Sequence, residues 1–200
     1  MAVQQRNMGI GELANPLTIF KRQFRWTLGF NVACLNGGGI GESFVKTAAR
    51  PNIQIEETEI NFLNAKMWIP GKGAWQEMEV TYYDVANDAL RGLWLWINAV
   101  YQIIEGSNNQ VVPPSVMKKR MGSRLNDYTG TGTLRLYDGC GGVIETWLLY
   151  NAWPKNIDFG TLDMAQSEIC EVKMTMRYSD VQYRPNCWTL EDVNCCNSCG

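Results

Sequence analysis

The residues from Glu168 to Tyr178 alternate without interruption. Cys170, Val172, Met174, Met176 and Tyr178 take one side; Glu171, Lys173, Thr175 and Arg177 take the other. Side chains leave a strand to opposite faces in turn, so this run predicts a strand with one buried and one wet face. It closes a longer β-rich stretch, Gly130 to Tyr183. Within it, two runs of strand formers flank Asp138-Gly139-Cys140-Gly141-Gly142, a strong hairpin signal. Past Tyr150, Asn151-Ala152-Trp153-Pro154 predicts a turn, because proline cannot donate to a ladder.

Upstream, shorter β runs repeat the pattern. Phe24, Trp26, Leu28 and Phe30 alternate with Arg25, Thr27 and Gly29 inside a strand region from Phe20 to Leu35. Asn36-Gly37-Gly38-Gly39-Ile40-Gly41 breaks it. Those glycines lack the lysine and hydroxyl spacing of a phosphate loop, so a flexible turn is expected. Ser43–Ala48, Ile53–Phe62 and Met78–Tyr83 read as further strands. Between the last two, Phe62, Met67, Trp68, Ile69 and Trp75 surround Pro70-Gly71-Lys72-Gly73, read as a loop or hairpin tip. Large apolar residues there mark a contact surface. A cap of Trp68 and Trp75 on the core is the equally open alternative.

Leu90, Leu93, Trp94, Ile97, Val100, Tyr101 and Ile104 recur at helical spacing after Asn87-Asp88, an N-cap signal, and before Gly106. A core helix along the β layer is the natural reading. Glu105 to Tyr128 is polar and irregular, and its basic run Lys118-Lys119-Arg120 with Arg124 reads as a solvated loop. The expected fold is therefore mainly β: an antiparallel β-sandwich or partly closed β-barrel with one main flanking α-helix. Three parts are expected: an N-terminal arm at 1–16, a β domain at 17–185, and a Cys-rich C-terminal tail at 186–200.

Composition narrows the chemistry. The 200 residues contain no histidine, which removes the commonest general base and the His-dependent triads. Glu56, Glu57 and Glu59 are paired carboxylates in principle, but Glu57 and Glu59 fall on an apolar strand face with no cleft signal, so a solvated or interface face is expected. Gly9-x-Gly11-x-x-Ala14 matches a dinucleotide pattern on paper yet follows no strand. No catalytic residue and no cofactor is expected. A net charge of −2 argues against a general nucleic-acid binder. No apolar run is long enough to span a bilayer, so no membrane partner is expected. The opening Met1-Ala2-Val3-Gln4-Gln5-Arg6 lacks the apolar core of a signal peptide, which predicts a cytoplasmic origin.

Of seven cysteines, Cys34, Cys140 and Cys170 sit singly, and Cys170 reads as a small buried apolar residue on its strand. Cys187, Cys195, Cys196 and Cys199 cluster at the end. Only Cys196 and Cys199 have knuckle spacing, so these four are weak metal candidates. An unstructured tail is the leading expectation, with a metal or a disulfide as alternatives.

Trp147-Leu148-Leu149-x-Asn151-Ala152-Trp153-Pro154, then Phe159-Gly160-x-Leu162, then Glu168-Ile169 and a charged alternating strand ending Arg177-Tyr178-x-Asp180 resemble the tail tube protein of contractile-tailed phages. Trp68-Ile69-Pro70-Gly71-Lys72 followed by Glu79-Val80-Thr81-Tyr82 fits the same pattern. The resemblance covers roughly residues 20 to 185 and stops short of the Cys-rich end. It implies a structural virion protein whose hexameric rings stack into the inner tube of a contractile tail. DNA passes through such a tube without specific binding. Sheath, baseplate and tape-measure proteins are the implied partners, and the location is the virion, after assembly in the host cytoplasm. The fold is shared with the type VI secretion tube protein.

On that footing Phe62, Trp68, Ile69 and Trp75 are the expected stacking residues. Glu57, Glu59, Glu171, Lys173, Thr175 and Arg177 are the expected lumen-facing ones, with Lys173 and Arg177 offset by Glu171 and neighbouring carboxylates. Two alternatives are a secretion-type or non-contractile tube on the same fold, and a carbohydrate-binding β-sandwich using Trp68, Trp75 or Trp153.

Overall fold

A computed structural model describes residues 21–32, 39–40, 42–86, 88–101, 125–165 and 167–185. The expected arm at 1–16, the tail at 186–200 with its four cysteines, Cys34, and the basic run at 118–124 lie outside the described residues.

The chain forms strands β1 (Trp26–Val32), β2 (Gly39–Ile40), β3 (Val45–Ala48), β4 (Ile53–Phe62), β5 (Ala65–Trp75) and β6 (Met78–Tyr83). Helix α1 (Asp88–Val100) and a short helix α2 (Leu125–Tyr128) follow. Then come β7 (Gly130–Tyr137), β8 (Val143–Asp158), β9 (Glu171–Arg177) and β10 (Asp180–Pro185). One sheet runs in the order β2-β1-β7-β8-β9-β6-β3, with β10 also paired to β8, while β4 and β5 pair only with each other. The ladders are antiparallel. This is the mainly β fold with one main helix that the alternation predicts. The strand path is open rather than closed into a barrel.

Two compact units emerge. Among the described residues the first gathers 21–26, 135–146 and 184–185. There the tip of the β7–β8 hairpin is tied by Asp138, whose Oδ1 accepts from the amides of Cys140 (2.8 Å) and Gly142 (2.7 Å). Gly141 takes φ 89°, which a side chain would resist. Glu145 is buried in this unit and pairs with Lys21.

Among the described residues the second holds 27–32, 39–40, 42–86, 88–101, 125–134, 147–165 and 167–183. Its core takes Leu28, Phe30 and Val32 from β1, Val80 and Tyr82 from β6, Leu149 and Ala152 from β8, and Val172, Met174 and Met176 from β9. Helix α1 adds Leu93, Trp96 and Ile97, all buried. Full burial of such side chains stabilises by about 1.5–3 kcal/mol each. Trp96 rests on Phe30 and donates its indole N–H to the Tyr128 carbonyl at 2.7 Å, so the buried ring leaves no donor unpaired.

Several expectations change. Asn151–Pro154 does not end a strand: β8 continues through it for 16 residues. Asn151 absorbs a left-handed φ of 52°, and Pro154 stands at a register shift against β9, where a missing donor costs little. Strand β9 begins at Glu171, which leaves Cys170 exposed rather than in the core. Cys140, on which the sequence carries no expectation of bonding, is disulfide-bonded. Phe24 is exposed ahead of β1, Gly39–Ile40 pairs with β1 as β2, and Glu42–Phe44 is a 3-10 turn before a shorter β3. Helix α1 is described to Val100; Asn87 and the residues from 102 to Gly106 lie outside the described residues. Leu125–Tyr128 is helical, not irregular, and β10 is a strand the sequence reading lacked.

Candidate assembly and channel surfaces

The first surface is the β4–β5 ribbon. Its strands have 10 and 11 residues and are paired from Ile53↔Trp75 to Phe62↔Ala65. Pro70-Gly71-Lys72-Gly73 is not the tip. It lies within β5 at a register shift opposite Ile55 and Glu57, where Gly71 lets the backbone pass close to the Glu56 carbonyl. The actual tip is the two-residue turn Leu63-Asn64, and Leu63 adopts φ 54°. Leucine there is strained, since a Cβ crowds the neighbouring carbonyl in that region.

The arms of this ribbon are wet on both strands. Phe62 (74%), Leu63 (91%), Met67 (57%) and Trp68 (55%) are widely exposed. Ile53, Ile55, Ile60 and Ile69 are exposed as well. A ribbon of two strands has no second layer to cover it, so these groups lack a core within their own sheet. The expected stacking residues therefore separate. Phe62, Trp68 and Ile69 lie on the arms. Trp75 lies at the base, half-buried, its indole N–H donated to Asp180 at 3.2 Å and its ring tilted against Tyr178 at 6.3 Å. Gln76 N–H donates to the Asn52 carbonyl at 2.8 Å and closes that base. Leu63 is an addition; its signal in the sequence is only an apolar residue before Asn64.

The second surface is the wet face of β3, β6, β9 and β8. On β9, Val172, Met174 and Met176 are buried while Glu171, Lys173, Thr175 and Arg177 face away, as the alternation predicts. Across β6 lie Tyr83 opposite Glu171, Thr81 opposite Lys173, and Glu79 opposite Thr175. Across β8 lie Asp158 opposite Lys173 and Asn156 opposite Thr175. Glu57 and Glu59 are not in this sheet. They belong to β4, where Glu57 faces Pro70 in the ladder and Glu59 pairs with Lys66 at 2.7 Å.

Two lysines reach this face from β-bulges. Between Val45 and Thr47 strand β3 carries one residue more than β6, and that residue is Lys46. Between Pro154 and Asn156 strand β8 carries one more than β9, and that residue is Lys155. Lys46 crosses over the Tyr83 ring, 5.7 Å from its centroid, to bond Glu171. Lys155 bonds Glu77, just ahead of β6, and the same Glu77 Oε1 accepts from Arg177 Nη1 at 3.3 Å. Glu171 thus offsets Lys46, and Arg177 is offset by Glu77. The hydrogen bond from Lys155 is the main reason the Glu77 carboxyl titrates below the usual range. The bond to Glu171 likewise raises Lys46 above the ordinary lysine value. Four cations (Lys46, Lys155, Lys173, Arg177) meet four carboxylates (Glu77, Glu79, Asp158, Glu171) on one face.

Among the described residues no cluster of three or more His, Cys, Asp or Glu is arranged to hold a metal. No helix among them is long and apolar enough to cross a membrane.

No family model matches the sequence. The tail tube protein of Serratia phage KSP90 is 24% identical over 140 residues, spanning 67% of this chain and 72% of that protein. The chain resembles phage tail tube proteins. Three solved structures share the fold. A chain of the anti-feeding prophage baseplate superposes with TM-score 0.62 at 11% identity, covering 84% of this chain and 98% of that one. A chain of the anti-feeding prophage tube-terminating cap gives 0.61 at 16% identity, over 89% and 99%. A chain of the sheath–tube complex of an extracellular contractile injection system, PVC, in its extended state gives 0.58 at 16%, over 88% and 97%.

Proposed function

We propose that the protein is a structural subunit that closes into hexameric rings, and that these stack as the inner tube of a contractile phage tail. The carrying observation is the β4–β5 ribbon: a long two-stranded arm with aromatic and aliphatic side chains exposed on both strands and a strained leucine at its tip. A strained residue persists where its placement is useful. Exposed apolar surface of this kind calls for cover, and a second copy of the chain supplies it in a head-to-tail arrangement that closes or stacks. The likeness to a tail tube protein supports the same reading.

In this reading the wet face of β9 and its neighbours lines the channel, and DNA passes along it during ejection. Sheath, baseplate and tape-measure proteins are the partners, no catalysis is involved, and the protein resides in the virion. Glu57 and Glu59 border the channel only where the ribbon does.

Negative-stain imaging across a concentration series, with and without seeds from assembled tails, tests the proposal. Rings or tubes are the expected result. A monomer at every concentration, seeded or not, would overturn it.

A further inference from the structure

The geometry points to Glu77 and Glu171 as charge-masking residues that keep the face of β3, β6, β9 and β8 from holding duplex DNA. The inference rests on reading that face as the channel wall.

The argument starts from spacing. Lys173 and Arg177 share the wet face of β9, and Lys46 and Lys155 are brought onto the same surface by their carboxylate partners Glu171 and Glu77. Four cations on one sheet face are a fair phosphate-binding surface, since duplex DNA offers a negative charge about every 1.7 Å along its axis. Alternation accounts for Lys173 and Arg177. Lys46 and Lys155 arrive only because each is the extra residue of a bulge. Each bulged lysine ends on a carboxylate: Lys46 on Glu171 and Lys155 on Glu77.

Glu77 does more than its share. One oxygen, Oε1, takes Lys155 and Arg177 together. Glu168 adds a further attraction on Lys46 from the neighbouring loop. Glu79 and Asp158 stand in the rows of Thr175 and Lys173. A phosphate approaching Lys46, Lys155 or Arg177 must therefore displace a carboxylate already in place. The bound ion pair releases no counterion on DNA contact, so the usual driving force is lost. The outcome is a surface rich in cations that does not grip a polyanion.

The experiment compares the full-length protein with Glu77→Gln/Glu171→Gln. Binding of a short fluorescein-labelled DNA duplex is read by anisotropy over a salt series, after circular dichroism has confirmed the fold. The wild type is expected to show no salt-dependent binding. The double variant uncovers Lys46, Lys155 and Arg177, and should bind with a log–log salt slope approaching about −2.7, at about 0.9 per phosphate. Adding Lys155→Gln and Arg177→Gln should remove most of that gain.

Should the double variant misfold, Glu171→Gln alone uncovers Lys46 and should give a slope near −0.9. Wild-type binding as tight as the variant's, or no gain in a folded variant, overturns the inference. The tube reading fails separately. Tubes without a gain in binding sink the mask alone, and a gain in binding by a chain that never assembles sinks the tube alone.

Discussion

Phe30 on β1 and Trp96 on α1 pack ring on ring, with centroids 5.2 Å apart and planes tilted by 45°. Gly132 on β7 lies directly beneath: a Cβ there would sit 2.8 Å from Phe30 Cε1 and 3.2 Å from Leu149 Cδ1. The ring cannot retreat, because Trp96 is on it. Gly132→Ala should therefore destabilise the fold by about 1–3 kcal/mol, as overpacking does. Chemical denaturation checks this, and unchanged stability would show that the helix yields.

Tyr82 is fully buried, and its hydroxyl has no hydrogen-bond partner among the described residues. Burial raises its pKa above the ordinary tyrosine value. An unpaired buried hydroxyl is a cost, so Tyr82→Phe should leave the melting temperature unchanged or raise it, by up to about 1 kcal/mol of stability. A clear loss would mean that a water bonds the hydroxyl.

Leu63→Gly separates stability from assembly. Glycine accepts φ 54° without penalty, so the subunit should gain about 1 kcal/mol. The same change removes the most exposed apolar group on the ribbon, so rings or tubes should form less readily. Trp68→Ser should impair assembly without unfolding the subunit, because Trp68 lies outside the core. Calorimetry and sedimentation of the same samples read both quantities. Unfolding by Trp68→Ser would place that ring in the core instead.

The ion pairs on the wet face set a pH window. The folded pKa of Glu77 lies below its unfolded value, so between the two the unfolded chain binds the extra proton and stability rises with pH. This contribution is full above the ordinary glutamate value of about 4.3 and is lost as pH falls through the lower folded value. Lys46 is the mirror case. Its folded pKa is raised, so its contribution is full below the ordinary lysine value of about 10.4 and is lost as pH climbs through the higher folded value. NMR titration of the Glu77 carboxyl should show a midpoint below that of an exposed glutamate. The shift should shrink in Lys155→Gln, since Lys155 is its first cause.

Local alternation carried much of the fold. Ile53–Phe62 and Met78–Tyr83 are strands with the bounds the pattern gives, because each has an uninterrupted run and a breaker at its end. The pattern failed where a strand tolerates an exception. Asn151 and Pro154 look like breakers, and only the ladder with β9 shows that a left-handed turn of backbone and a bulge carry β8 past them. The wet side of β9 was legible, but its electrostatic partners were not. Glu77 meets Lys155 and Arg177 across 78 and 100 residues of chain, and register alone makes that meeting. The position of the ribbon's tip was hidden by Pro70-Gly71, a turn-like pair that serves a bulge instead.

The placement of Lys46 and Lys155 in bulges frees two traits from each other. In an ordinary strand, inserting a charge shifts every later side chain to the opposite face. A bulge takes the added residue and restores the register after it, as Thr47 and Asn156 resume their pairing with β6 and β9. The charge at these two positions can thus be gained, lost or reversed by single substitutions while Val172, Met174 and Met176 stay where they are. Related chains could drift in the ionic character of this surface, even to the opposite sign, with no repacking of the interior.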